Sequence, residues 1–225
     1  VAKTMLLHKM AEDNTRLGEF LFADPSIAHI LSQTTVGEDA YANSPLSLLS
    51  ACSRGLANER IVRRILSSLG HVVKDAAPGE CVNGASTGSN STPYDFEVDD
   101  EKSESKMGRF FWDTYHNCFV LTLPNIKLGQ FDRLYVSPDG PSGLHLFYHK
   151  DPHLHVSLAG KETEANGGTM VVSAPVGMTS PQEAEAFIVK KLSYMHNTQY
   201  IAYVKFGDYT LNHAIEQLRA VQGAR

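Results

Sequence analysis

Apolar side chains recur along this chain with two different periods, and the changes between them mark out the elements. Ile61, Val62, Ile65, Leu66 and Leu69 fall on one stripe at helical spacing, and Gly70 supplies a stop. Residues 3–33 alternate helical patterning with polar breaks, and Ser44-Pro45 opens another helix with proline in its first turn. From Phe96 onward the period drops to two. Phe96 and Val98 alternate with polar residues, Asp99-Asp100 interrupts, and alternation resumes. Strands are expected near 117–123, 133–137 and 143–149, with a hairpin over 154–174 that turns near Asn166-Gly167-Gly168. Ser180-Pro181-Gln182-Glu183 is a capping box. It opens a helix whose Ala184, Phe187, Ile188, Leu192 and Met195 form one face. A strand at 199–205 and a helix at 209–221 follow, so the fold class is α/β.

Composition narrows the picture only slightly. A chain of 225 residues with 42% hydrophobic content is one domain, or one core with additions. Its net charge of −5 does not announce a polyanionic ligand, although a local basic patch can serve on an acidic protein. Cys52, Cys81 and Cys118 lack CxxC spacing, which fits reduced thiols in a cytoplasmic protein. No apolar run approaches the roughly 18 residues of a membrane span, and the N-terminal stretch has no signal-peptide core. The only biased segment is 75–92, with Gly79, Gly84 and Gly88 among serines and asparagines. A loop of that length is expected to be mobile or functional.

The chemistry concentrates in the hairpin around Asp99-Asp100. A two-residue turn there pairs positions whose numbers sum to 199, so Asp95 lies opposite Glu104. Side chains alternate across a strand, which puts Lys106 on the face of Glu104 and turns Ser105 away. Directly opposed carboxylates stand about 5 Å apart and repel. That arrangement is useful around a divalent cation, which takes hard oxygen ligands. The histidines are less informative. His145, His149, His153 and His155 are close in sequence, but residues four apart on a strand are about 13 Å apart and cannot share a zinc ion. His155-Val156-Ser157 resembles half of a paired phosphoesterase motif whose second half, at His196, is poor.

Asp95 followed nine residues later by Glu104-Ser105-Lys106 resembles the PD-(D/E)xK nuclease motif of type II restriction endonucleases and their relatives. Upstream, residues 55–73 resemble that family's leading helix, which carries a glutamate, here Glu59, and ends in Gly-His before a strand. Downstream, 119–123 and 131–136 resemble its next two strand regions, so the likeness spans about residues 55–150. Two positions depart from the pattern: Ser103 and Ser105 stand where apolar residues are usual.

The resemblance implies a restriction-endonuclease-like mixed β-sheet flanked by α-helices. It divides the chain into an N-terminal helical region over 1–54, a nuclease core over 55–150 with its active-site hairpin at 93–107, and a completing segment over 151–225. It implies Mg²⁺-dependent hydrolysis of double-stranded DNA. Asp95, Glu104 and the Ser105 carbonyl would be metal ligands, Lys106 the group that orients water, and Glu59 an accessory carboxylate. A type II restriction enzyme, acting as a homodimer on a two-fold symmetric site, is the first expectation. A structure-reading repair or mobile-element nuclease and a non-catalytic subunit are the alternatives. Polar segments around the presumed cleft supply candidate DNA contacts: Arg60, Arg63 and Arg64 on the helix, with Asn125, Lys127, Lys161 and Asn166.

Overall fold

The helical stripe ending at Leu69 becomes α1, Ala51–Ser68, in the computed structural model. Leu46 and residues 51–76, 94–150 and 167–205 are described. Gly70 stops the helix with φ +91, a conformation glycine adopts freely. Because α1 starts at Ala51, the expected boundary at 54/55 falls inside a helix. The expected elements over 3–33 and 209–221, the first arm of the 154–174 hairpin and most of the 75–92 loop lie outside the described residues, as do Lys161 and Asn166.

Eight strands follow among the described residues: β1 Val73–Asp75, β2 Phe96–Val98, β3 Glu101–Asp113, β4 Cys118–Ile126, β5 Arg133–Asp139, β6 Gly143–His149, β7 Gly168–Ser173 and β8 Thr198–Lys205. A second helix, α2, spans Pro181–Ser193 between β7 and β8. The strands form one curled mixed sheet in the order β1-β2-β3-β5-β6-β8, with β4 branching from β3 and β7 pairing β4. Only β3 and β5 run parallel; every other pair is antiparallel.

The hairpin keeps the expected register, with Phe96 opposite Ser103 and Val98 opposite Glu101. Asp99 and Asp100 both have positive φ, 51° and 67°, as a tight hairpin turn requires. No glycine is present, and side-chain bonds offset the backbone cost. The Asp99 carboxylate accepts from Val72 N–H at 2.9 Å and lies 2.7 Å from His71 Nδ1. These contacts also stitch β1 to the turn.

The sheet has a core on each face. On one, α1 lays Ala57, Ile61, Val62 and Ile65 against Phe96, Val98, Tyr135 and Leu144. On the other, inside the curl, Phe110, Leu121, Val136 and Phe147 meet Val172 and the buried side of α2. Ser180 caps α2 and Pro181 occupies its first turn, as the capping box predicts. The face of α2 differs from the expected one. Ala184, Ile188 and Leu192 are buried, but so is Glu185, while Phe187 is exposed. Glu185 is satisfied there: Ser142 donates to it through N–H and Oγ, and His145 Nε2 lies 3.0 Å away. A buried carboxylate with three partners holds its position better than an apolar pattern indicates.

β3 runs to Asp113, well beyond the 93–107 hairpin, because its second half changes partner from β2 to β4. Gly108 sits at this crossing. A Cβ built there falls 2.7 Å from Leu121 Cδ1 and 2.8 Å from the Thr122 carbonyl oxygen. The backbone of β4 cannot step aside cheaply, so Gly108→Ala should destabilise the protein by about 1–3 kcal/mol. Urea unfolding checks this; an unchanged midpoint would mean that β4 does not pack against Gly108 so closely.

Candidate active site

Asp95 is where the β2 ladder ends. Its N–H donates to the Ser103 carbonyl at 3.0 Å, and its carboxylate then takes the place of a strand, accepting from Ser105 N–H at 2.7 Å. Beyond that point, among the described residues, the same edge of β3 has no registered partner until Phe110 meets β4. The gap opens into a cleft of about 650 Å³ between α1, β3 and β4. Asp95, Ser105 and Lys106 line it, with Arg54, Asn58 and Glu59 from α1 and Thr122 and Asn125 from β4.

Alternation sorts the side chains as expected. Glu104 and Lys106 pair with Leu134 and Val136, whose side chains belong to the core inside the curl. Ser105 pairs with Tyr135 and faces α1, where Asn58 Nδ2 donates to its Oγ at 3.4 Å. Ser103 and Ser105 are both buried. Ser105, one of the polar positions that thin this stretch of core, therefore meets α1, while the Ser103 hydroxyl donates to the Glu101 carbonyl.

Glu104 is only 6% exposed and does not itself line the cleft. Lys106 Nζ forms an ion pair with its Oε1. Burial, and after it the charge of Asp95, pushes the Glu104 carboxyl up to about 7, against the opposing pull of Lys106 and Lys127. Glu59 is raised as well, by burial first and Asp95 second, while its hydrogen bond from Arg63 pulls it down. Asp95 is thus the electrostatic hub of three carboxylates. Among the described residues, no three His, Cys, Asp or Glu side chains stand close enough to share a metal ion. Two carboxylates and backbone oxygen are the most this site offers one cation.

The remaining candidates separate. Asn125 lines the cleft, aimed there by an irregularity in β4 between Leu123 and Ile126 and by its own positive φ of 59°. Gly167 permits this: a Cβ there falls 2.8 Å from the Asn125 carbonyl carbon. Lys127 is exposed and acts on Glu104 through charge. Arg60, Arg63 and Arg64 do not line the cleft. Arg63 is held by Glu59 at 3.3 Å and Asp75 at 2.5 Å and lies over the Phe96 ring. Arg54, Asn58, Arg109 and Phe111 line the cleft without having been singled out in the sequence. Arg54 and Asn58 sit one helical turn apart, which was the available signal. No family model matches this chain, and neither a curated protein nor a solved structure matches it. No described helix is long and apolar enough to cross a membrane.

Proposed function

We propose that the cleft is the active centre of a Mg²⁺-dependent endodeoxyribonuclease of the PD-(D/E)xK kind, on a restriction-endonuclease-like variant of the mixed sheet. One observation supports the reading: at the edge of an open cleft, Asp95 accepts from Ser105 N–H and its charge acts on buried Glu104, which is ion-paired with Lys106. The donor set fits the metal. Magnesium is commonly held by one or two carboxylates and keeps several waters, and a buried carboxylate beside a second negative charge favours a cation. Asp95 and Glu104 would hold it, with the Ser105 carbonyl. The ion, when bound, supplies positive charge against the phosphate and lowers the pKa of water.

Lys106 keeps an ammonium group beside these carboxylates, where it orients the attacking water and offsets charge as the phosphate becomes more negative. Ser105 N–H fixes the Asp95 carboxylate, so little reorganisation is needed at the moment of reaction. Glu59 is near enough to feel Asp95 and serves as an accessory carboxylate. A type II restriction enzyme acting as a homodimer on double-stranded DNA is the form proposed first.

A second reading has its own support. Phe111 and Leu56, 47% and 44% exposed, line the cleft. An exposed aromatic ring stacks on an unpaired base, which suits a nuclease that reads DNA structure. Plasmid digestion with Mg²⁺ decides. Discrete fragments with one end sequence support the restriction reading, and nicks or smears support the structure-reading one. Intact plasmid with Mg²⁺ or Mn²⁺ removes both.

A further inference from the structure

Among the described residues, two polar atoms of side chains that line the cleft have no hydrogen-bond partner. Arg54 Nη1 is buried without a hydrogen bond, and so is Asn58 Oδ1 on a side chain only 1% exposed. They lie four residues apart on α1 and both line the cleft. A buried donor with nothing to satisfy it is costly, more so on a cation, and proteins rarely retain one without a use. Lys106, the neighbouring cation, is committed to Glu104. Burial pulls the Arg54 pKa down, against the lesser, opposing pull of the Asp139 charge.

Asn58 sharpens the chemistry. Its amide contacts the Ser105 hydroxyl, which both donates and accepts. Turned by half a rotation, the amide accepts from Ser105 and puts its NH₂ where the unpartnered Oδ1 stands, since the two orientations are equivalent in shape. Arg54 and Asn58 then offer a fork of donors from one helix face. Asp95 and Glu104 stand on the hairpin side, and Glu59, the carboxylate on α1, is already engaged by Arg63, so an anion entering the cleft binds beside Arg54 and Asn58.

We propose that Arg54 and Asn58 anchor a backbone phosphate of the substrate strand, fixing the strand across the Asp95–Lys106 edge. This rests on the nuclease reading. The guanidinium takes two phosphate oxygens in its planar fork, and the Asn58 amide adds a neutral donor. Arg54 is a positioning residue, because its contact is with a phosphate and the reacting atoms lie at Asp95 and Lys106.

The test measures binding of the full chain to a fluorescein-labelled 20-base-pair duplex in EDTA, across a salt series. One phosphate contact contributes roughly 0.9 to the slope of log K against log salt. Arg54→Gln should lower the slope by about one and weaken binding about equally for unrelated duplex sequences, while Arg54→Lys should keep most of the slope. Asn58→Asp, which sets a carboxylate against the phosphate, should weaken binding further without moving the slope upward. Thermal unfolding by circular dichroism confirms that each variant is folded, and if Asn58→Asp is not, Arg54→Gln decides alone. A folded Arg54→Gln with the wild-type slope overturns the anchor and leaves the nuclease reading standing if the wild-type chain cuts plasmid. A wild-type chain with no salt-dependent binding overturns both.

Discussion

Lys106→Ala should cleave DNA at least about 100-fold more slowly than the wild-type chain, the usual loss when one preorganised electrostatic contact is removed. Asp95→Asn should lose as much, because Mg²⁺ needs the charge that the amide lacks. Both variants should fold. Asn at 95 still offers an oxygen to Ser105 N–H, so the hairpin keeps its end. Lys106 is half-buried, and without it Glu104 is relieved of its stranded charge by taking up a proton. Neither change should weaken DNA binding in EDTA, and Asp95→Asn, which removes a negative charge, should strengthen it. Asp100→Asn is the control. Asp100 has φ 67° in the turn, where asparagine is well tolerated, and its contact with Lys74 is exposed. Asp99 is a poorer control, since His71 and Val72 both bond to it. Wild-type cleavage rates for both Asp95→Asn and Lys106→Ala would remove the hairpin from catalysis.

The hairpin was legible because its two determinants are local. Alternation at Phe96 and Val98 and a two-residue break at Asp99-Asp100 leave one register, the one observed, with Phe96 opposite Ser103 and Val98 opposite Glu101. Strand β6 matched its expected span for a similar reason, and β5 and β8 matched theirs to within two residues. What was not legible depends on partners distant in sequence. Glu104 reads as a surface residue, yet it is buried beside Leu134 of the core inside the curl, which turns a solvated carboxylate into one with a raised pKa. Helical periodicity identifies the inward face of α1 but not what its first turns overlook, so Arg54 and Asn58 were passed over. Of the arginines that looked available, Arg63 is already neutralised by Glu59 and Asp75. In α2, a pattern that counts only apolar residues cannot foresee that Ser142 and His145 make Glu185 a better buried group than Phe187.

The burial of Glu104 leads to the second large expectation: without metal, the protein should lose stability between pH 5 and 8, and Glu104→Gln should abolish that part of the loss. Glu104 has a pKa of about 7 in the folded chain against 4.5 ordinarily. The folded state therefore holds the proton more tightly than the unfolded state does. Its contribution is fully present below about pH 4.5 and is lost as pH rises through 7, by on the order of 3 kcal/mol at most. Glutamine mimics the protonated form at every pH. Glu104→Gln should thus match the wild type near pH 5 and exceed it by up to ~3 kcal/mol at pH 8. Magnesium offsets most of that difference, because it binds the ionised carboxylate. At a concentration 100 times its dissociation constant it should add about 2.7 kcal/mol to the wild type at pH 8, little at pH 5, and little to Glu104→Gln at either. Urea unfolding at the two pH values, with Mg²⁺ and with EDTA, gives all of these numbers. If the variant and the wild type show the same pH dependence in EDTA, Glu104 is not a buried, reluctantly ionised carboxylate. If Mg²⁺ stabilises both chains equally at pH 8, the ion is held somewhere other than Glu104.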